Sequence, residues 1–326
     1  MTPSTAHHNF RGALFALLAM GIFATHDAVV KHLGAAYSPF QIVFFASLLS
    51  FPPVAVIMLN DTRAASLRPR HPGWVLFRTV LTIVTGVSAF YAFSILPLAE
   101  VYVILFASPL LITILAIPLL GEKVRARRWA AVIVGLLGVI IVMRPGQAAL
   151  SLGHLAALTA AVCGATASVI VRKIGADERS VVLLLFPMVG NFIVTGLVLP
   201  YVYRPMPVGD VGLMAVIAAF GLTASFLVIV AYRAGEAAIV APMQYSQILW
   251  ATAYGYLLFD EAPDGATILG AGVIIASGLY IVFRETRAGA SAHRPVIEAR
   301  GRTETATTPK SSVLQRLFSG RGNGVS

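Results

Sequence analysis

Apolar runs of about twenty residues alternate with short polar segments along most of this chain, the length needed to cross a bilayer core. The runs fall at about 12–33, 39–60, 73–95, 99–120, 128–144, 152–173, 180–200, 211–232, 237–259 and 266–283. Inside a membrane no water satisfies the backbone, so runs of this kind form helices. The pattern predicts an all-α membrane protein of ten transmembrane helices, with short connections that make neighbours antiparallel. The run after Arg11 is too long for a signal peptide and lacks a small-residue cleavage site, so it reads as the first span.

The pattern also repeats. Gly12–Gly34 recurs 141 residues later as Gly153–Gly175, with Gly12, Leu14, Ala16, Ala24, Thr25 and Gly34 returning as Gly153, Leu155, Ala157, Ala165, Thr166 and Gly175. Gly73–Leu96 aligns with Gly212–Gly235 at an offset of 139, and Gly138–Arg144 with Gly278–Arg284 at 140. A repeat of this length divides the chain into two related halves, residues 12–144 and 152–283. Each half has five spans. An odd number forces the second half to enter the membrane upside down, the arrangement of transporters whose substrate sits at the repeat interface.

Composition agrees: 58% of residues are hydrophobic and 12% are charged. The net charge of +10 raises nucleic acid as a partner, but its placement argues for topology instead. With the N-terminus (residues 1–11) in the cytoplasm, twenty Lys and Arg fall in inner segments and only Lys31, Arg144 and Arg204 in outer ones. Both termini are then cytoplasmic, in a bacterial inner membrane. Residues 284–326, rich in Arg, Thr, Ser and Gly, are expected to be a disordered basic cytoplasmic tail. The single cysteine, Cys163, excludes an internal disulfide framework.

Charge inside the spans supplies the candidate chemistry. His26 and Asp27 lie roughly 7 Å from the centre of the first span, at 1.5 Å per residue, where the second half has Ala167 and Ser168. Ionisable residues at such depth mark a functional site. Asp27 either binds a cationic group, takes a coupling proton, or forms a static pair with Lys31 one turn on. Arg78, in the third span, is a snorkelling cation, an inner-gate charge or an anion partner. Glu100 begins the fourth span, where the helix dipole favours it, and is a gate candidate. Glu122 and Glu261 are repeat mates at opposite faces and read as structural. In the ninth span Met243, Gln247, Trp250 and Tyr254 are spaced to share a face, with Gln244 beside it; Tyr91 and Tyr102 are further candidates to line the cavity. Pro109, Pro187 and Pro242 are candidate helix breaks or hinges. No P-loop, HExxH, Gly-x-Ser-x-Gly or paired Cys/His metal spacing occurs, which argues against an enzyme, a cofactor and ATP-driven transport.

Three segments carry a family likeness: Leu96-Pro-Leu-Ala-Glu-Val-Tyr-Val-Ile-Leu-Phe-Ala-Ser-Pro109, Pro118-Leu-Leu-Gly-Glu-Lys123 and Gly135-Leu-Leu-Gly-Val-Ile-Ile-Val142, with looser copies at 237–261 and 270–282. The chain resembles the drug/metabolite transporter superfamily, in particular proteins with two EamA domains. Where similar proteins often carry Arg after two aromatics in the second span, this chain has Ala46 after Phe44-Phe45. The resemblance implies secondary transport of a small organic metabolite by alternating access. The Asp27…Lys31 pattern resembles members proposed to carry S-adenosylmethionine, riboflavin or amino-acid-like metabolites. The competing expectation is a non-transporting membrane scaffold or receptor.

Overall fold

The computed structural model describes residues 3–59, 68–122, 124, 126–144, 151–175, 177–178 and 180–287. They form twelve α-helices and one 3-10 turn, with no strand among the described residues. The helices are α1 (Pro3–Gly34), α2 (Pro39–Leu59), α3 (Pro72–Ile95), α4 (Leu98–Leu105), α5 (Ser108–Leu120), α6 (Ala126–Met143), α7 (Leu152–Ile174), α8 (Ser180–Val202), α9 (Val208–Ala234), α10 (Ala237–Val240), α11 (Ser246–Phe259) and α12 (Gly265–Arg287); the 3-10 turn, Ala241–Tyr245, joins α10 to α11. Of the expected tail, residues 284–287 belong to α12 and the rest lies outside the described residues. Six stretches are long and apolar enough to cross a membrane: Phe10–Gly34, Pro72–Ile95, Leu98–Leu120, Leu152–Ile174, Val182–Val202 and Val208–Ala234. Shorter apolar helices lie at Pro39–Pro52, Trp129–Met143 and Gly265–Ile281.

Two predicted spans are broken rather than continuous. Pro109 has no N–H to give Leu105, so the α-ladder stops there. The Phe106 N–H reaches Tyr102 O at 2.9 Å, the Ala107 N–H tightens to Ile104 O at 3.1 Å, and α5 restarts. In the ninth span Pro242 withdraws the donor due to Ala238, and the chain tightens into the 3-10 turn. The breaks fall on Phe106 and on Tyr245, which are related by the 139-residue offset. Their rings meet edge to face at 5.3 Å between centroids. By contrast, α8 runs through Pro187 unbroken, so that proline is not a break.

The helices pack mainly across the two halves: α1 on α9 and α3 on α7, α2 on α8, and α6 on α12. The closest approaches recur in pairs. A Cβ on Gly12 would lie 2.7 Å from the Gly235 Cα, and one on its mate Gly153 would lie 2.8 Å from the side chain of Leu96, the mate of Gly235. The largest apolar cluster gathers around α4, with Tyr102, Ile104, Leu105, Phe93 and Leu33 all buried.

Candidate functional site

Three consecutive residues of α1 point to three different neighbours. Thr25 turns to α11, where its hydroxyl lies 2.8 Å from the Tyr254 hydroxyl. Thr25 gives its own proton to Gly21 O at 2.9 Å, so Tyr254 is the donor. Trp250, one turn before Tyr254, lies over Gly21, where a Cβ would come 3.4 Å from the indole. His26 turns to α3 and sets its ring edge to face with Phe90 at 6.0 Å. Asp27 turns to α4, where the Tyr102 hydroxyl donates to its Oδ2.

His26 Nδ1 lies 2.7 Å from Asp27 Oδ1, and both side chains are fully buried. A carboxylate only accepts, so Nδ1 is the donor of this bond. The other ring nitrogen, Nε2, is buried with no hydrogen-bond partner. Asp27 has donors on two sides, His26 Nδ1 and the Tyr102 hydroxyl, as a buried carboxylate requires. The cluster can accept a proton at Nε2 or oppose a cation with the carboxylate.

Lys31 does not pair with Asp27. Its Nζ lies 2.7 Å from Glu261 Oε1 and donates to Leu96 O at 2.6 Å. The turn after α11 brings the Glu261 carboxylate to Lys31, while α4 presents a donor to Asp27, so Lys31 is held by Glu261 rather than by the i,i+4 alternative. Glu261 also accepts the Leu98 N–H at 3.1 Å, at the first turn of α4. At the other end of the bundle Arg172 pairs with Glu122, the repeat mates of Lys31 and Glu261. A second matched pair links the turns to the helix starts: the Tyr37 hydroxyl donates to Asp210, and the His71 N–H donates to Glu178 at 2.5 Å. The Asp210 bond pushes the Tyr37 phenol above its ordinary pKa, with burial and the carboxylate charge adding to the effect.

Glu100 sits in the first turn of α4 and meets His154 Nε2 at 2.7 Å. The Ser151 N–H donates to His154 Nδ1 at 3.1 Å, so Nε2 carries the proton given to Glu100. Nothing in the sequence pointed to His154. Arg78 is buried and donates to Leu183 O at 2.5 Å, away from the α1 cluster. In the ninth span, Gln247 is buried with Nε2 unpartnered, Met243 packs in the cluster of Ala16, Ala231 and Val240, and Gln244 is half-buried. Tyr91 is half-buried on α3 and joins none of these hydrogen bonds. Among the described residues no group of three His, Cys, Asp or Glu is arranged to hold a metal.

The family model of the EamA-like transporter family matches residues 10–144 and 151–283, and the chain belongs to that family. It is similar to the S-adenosylmethionine uptake transporter of Rickettsia bellii, 26% identical over 83% of this chain and 93% of that one. The pseudopaline exporter CntI of Pseudomonas aeruginosa is 27% identical over 82% of this chain and 94% of that protein. A riboflavin transporter of Vibrio cholerae is 28% identical over 87% and 97%. One solved crystal structure superposes with a TM-score of 0.56 over 88% of this chain and all of the other, at 22% identity, and shows the fold alone. The relatives are transporters, not enzymes, and this chain is a membrane transporter of the same family.

Proposed function

We propose that this protein is a secondary active transporter of the bacterial inner membrane that moves a small organic metabolite by alternating access. Its two five-helix halves, residues 12–144 and 152–283, are inserted in opposite senses with both termini in the cytoplasm. The paired contacts support this: Lys31–Glu261 and Arg172–Glu122 join corresponding residues at opposite ends of the bundle. The observation that carries the function is the buried His26–Asp27–Tyr102 cluster, present in one half only. Asp27 meets the cationic group of a substrate or receives a coupling proton through His26, and Trp250 and Tyr254 offer ring faces to a flat substrate beside α1. The relatives are named for S-adenosylmethionine, riboflavin and pseudopaline, and compounds of these kinds, with the amino-acid-like metabolites expected from the sequence, are the candidate substrates.

The test is uptake into proteoliposomes under an imposed proton gradient, with S-adenosylmethionine, riboflavin and an amino-acid panel. Accumulation of one compound above its equilibrium level is the expected result. Folded protein that moves none of them would favour a scaffold or receptor.

A further inference from the structure

Arg78 and Pro187 are both departures from the internal repeat. At the offsets of 139–141 residues that relate the halves, Arg78 corresponds to the buried Ile217, and Pro187 falls on Ala46–Leu48. Neither the charge nor the proline therefore has a counterpart, yet the two meet. In α8 the carbonyl of Leu183 should receive the N–H of residue 187, four positions on. Residue 187 is proline, so that N–H does not exist, and the ring also pushes the carbonyl outward. In a bilayer no water replaces it. The donor that does arrive is Nη1 of Arg78, reaching across from α3 at 2.5 Å.

We propose that Arg78 is a positioning residue. It supplies the hydrogen bond that Pro187 removes and pins α3 to α8 at that turn, and it does not hold the transported molecule. Arg78 is only 8% exposed, and no carboxylate pairs with it among the described residues. A guanidinium is suited to the task because it stays charged and reaches with a rigid fork. Its Nε is buried without a partner, the residual cost of the arrangement. Substrate recognition then falls to the α1 cluster and the aromatic face of α11.

The test is a double-mutant cycle on the full chain in detergent, read by thermal unfolding. Arg78→Met should lower the midpoint in the wild-type background. Pro187→Ala restores the N–H that can close onto Leu183, so in that background the same change should lose most of its effect. Equal losses in both backgrounds would overturn the proposal, as would no loss in either. If Arg78→Met does not accumulate, Arg78→Lys is compared in the two backgrounds and read in the same way. An anion-binding Arg78 makes a further demand: inorganic phosphate should raise the wild-type midpoint saturably and the Arg78→Met midpoint not at all. The expected result is no saturable rise in either protein, and a rise confined to wild type would also overturn the proposal.

Discussion

At corresponding positions of two repeat-related helices, α1 carries His26 and Asp27 where α7 carries Ala167 and Ser168. Both positions are buried, but their demands differ. Ser168 satisfies itself by donating to Gly164 O in its own helix at 2.9 Å. Asp27 draws on His26 and on Tyr102, whose mate in the second half is Ala241. The contacts that match between the halves are packing and end-to-end ties: Gly12 on Gly235 with Gly153 on Leu96, and Lys31–Glu261 with Arg172–Glu122. The unmatched ones are ionisable groups meeting each other or a freed backbone group: Asp27 with Tyr102, Glu100 with His154, Arg78 with Leu183. A duplicated frame lets one half acquire charge while the other preserves the packing. Where an unmatched charge meets an unmatched partner, the pair should be read together.

The largest effect expected from this contrast is at Asp27. Asp27→Asn keeps size and hydrogen bonding but removes the charge. Loss of one charge-assisted interaction of about 1.5–3 kcal/mol corresponds to roughly ten- to hundredfold. Gradient-driven accumulation, normalised to folded protein, should fall by that factor, whereas Ser168→Ala should transport as wild type. If Asp27 carries the coupling proton, counterflow exchange survives in Asp27→Asn; if it binds a cation, substrate affinity falls as well. Equal transport by Asp27→Asn and Ser168→Ala would remove the asymmetry from the mechanism. Tyr102→Phe takes one donor from Asp27 and should cost less, about 1 kcal/mol or several-fold in transport.

The matched ion pairs come next. Lys31→Met leaves Glu261 partly buried without its cation and should destabilise the protein by about 1–3 kcal/mol. Arg172→Met should cost less, because the Arg172 and Glu122 side chains are 17% and 23% exposed against 9% and 21% for Lys31 and Glu261. Adding Glu261→Gln to Lys31→Met should cost less than the sum of the two single changes, read by thermal unfolding. Strict additivity would mean that the pair is not coupled.

Much of this was legible in the chain. Apolar run lengths and the repeat are strong periodic signals, and the runs at 39–60 and 128–144 reappear as α2 and α6 with small shifts. His26 and Asp27 were singled out by type and depth and Tyr102 as a candidate to line the cavity, but their meeting was not, because nothing local relates α1 to α4. The expected Asp27–Lys31 alternative used the one neighbour relation a single helix provides, and tertiary packing overrode it. A better signal was present: Lys31 and Arg172 are basic mates, and Glu261 and Glu122 acidic mates, so pairing between the basic and the acidic mates was readable once both repeats were aligned. Pro109 announced its break, whereas Pro187 did not act as one, since a donor from another helix repairs the ladder at Leu183.

The smallest expected effect distinguishes the two ties at the turns. One uses a phenol, Tyr37 to Asp210; the other uses a backbone amide, His71 to Glu178. An amide does not titrate, but a phenol does, near pH 10 in the unfolded chain. The Tyr37 pKa is raised in the folded protein, first by its hydrogen bond to Asp210. A group whose folded pKa is raised contributes stability below its unfolded pKa and loses it as pH rises through the folded value. The Tyr37 tie should therefore be intact at neutral pH and fail only above about pH 10, when the phenolate faces the Asp210 carboxylate. Thermal midpoints between about pH 8 and pH 11 measure this. Wild type should lose stability at the alkaline end more steeply than Tyr37→Phe, which has no phenol to ionise, and Glu178→Gln should keep the wild-type slope. Parallel curves for wild type and Tyr37→Phe would mean that the phenol contributes nothing at that end of the bundle.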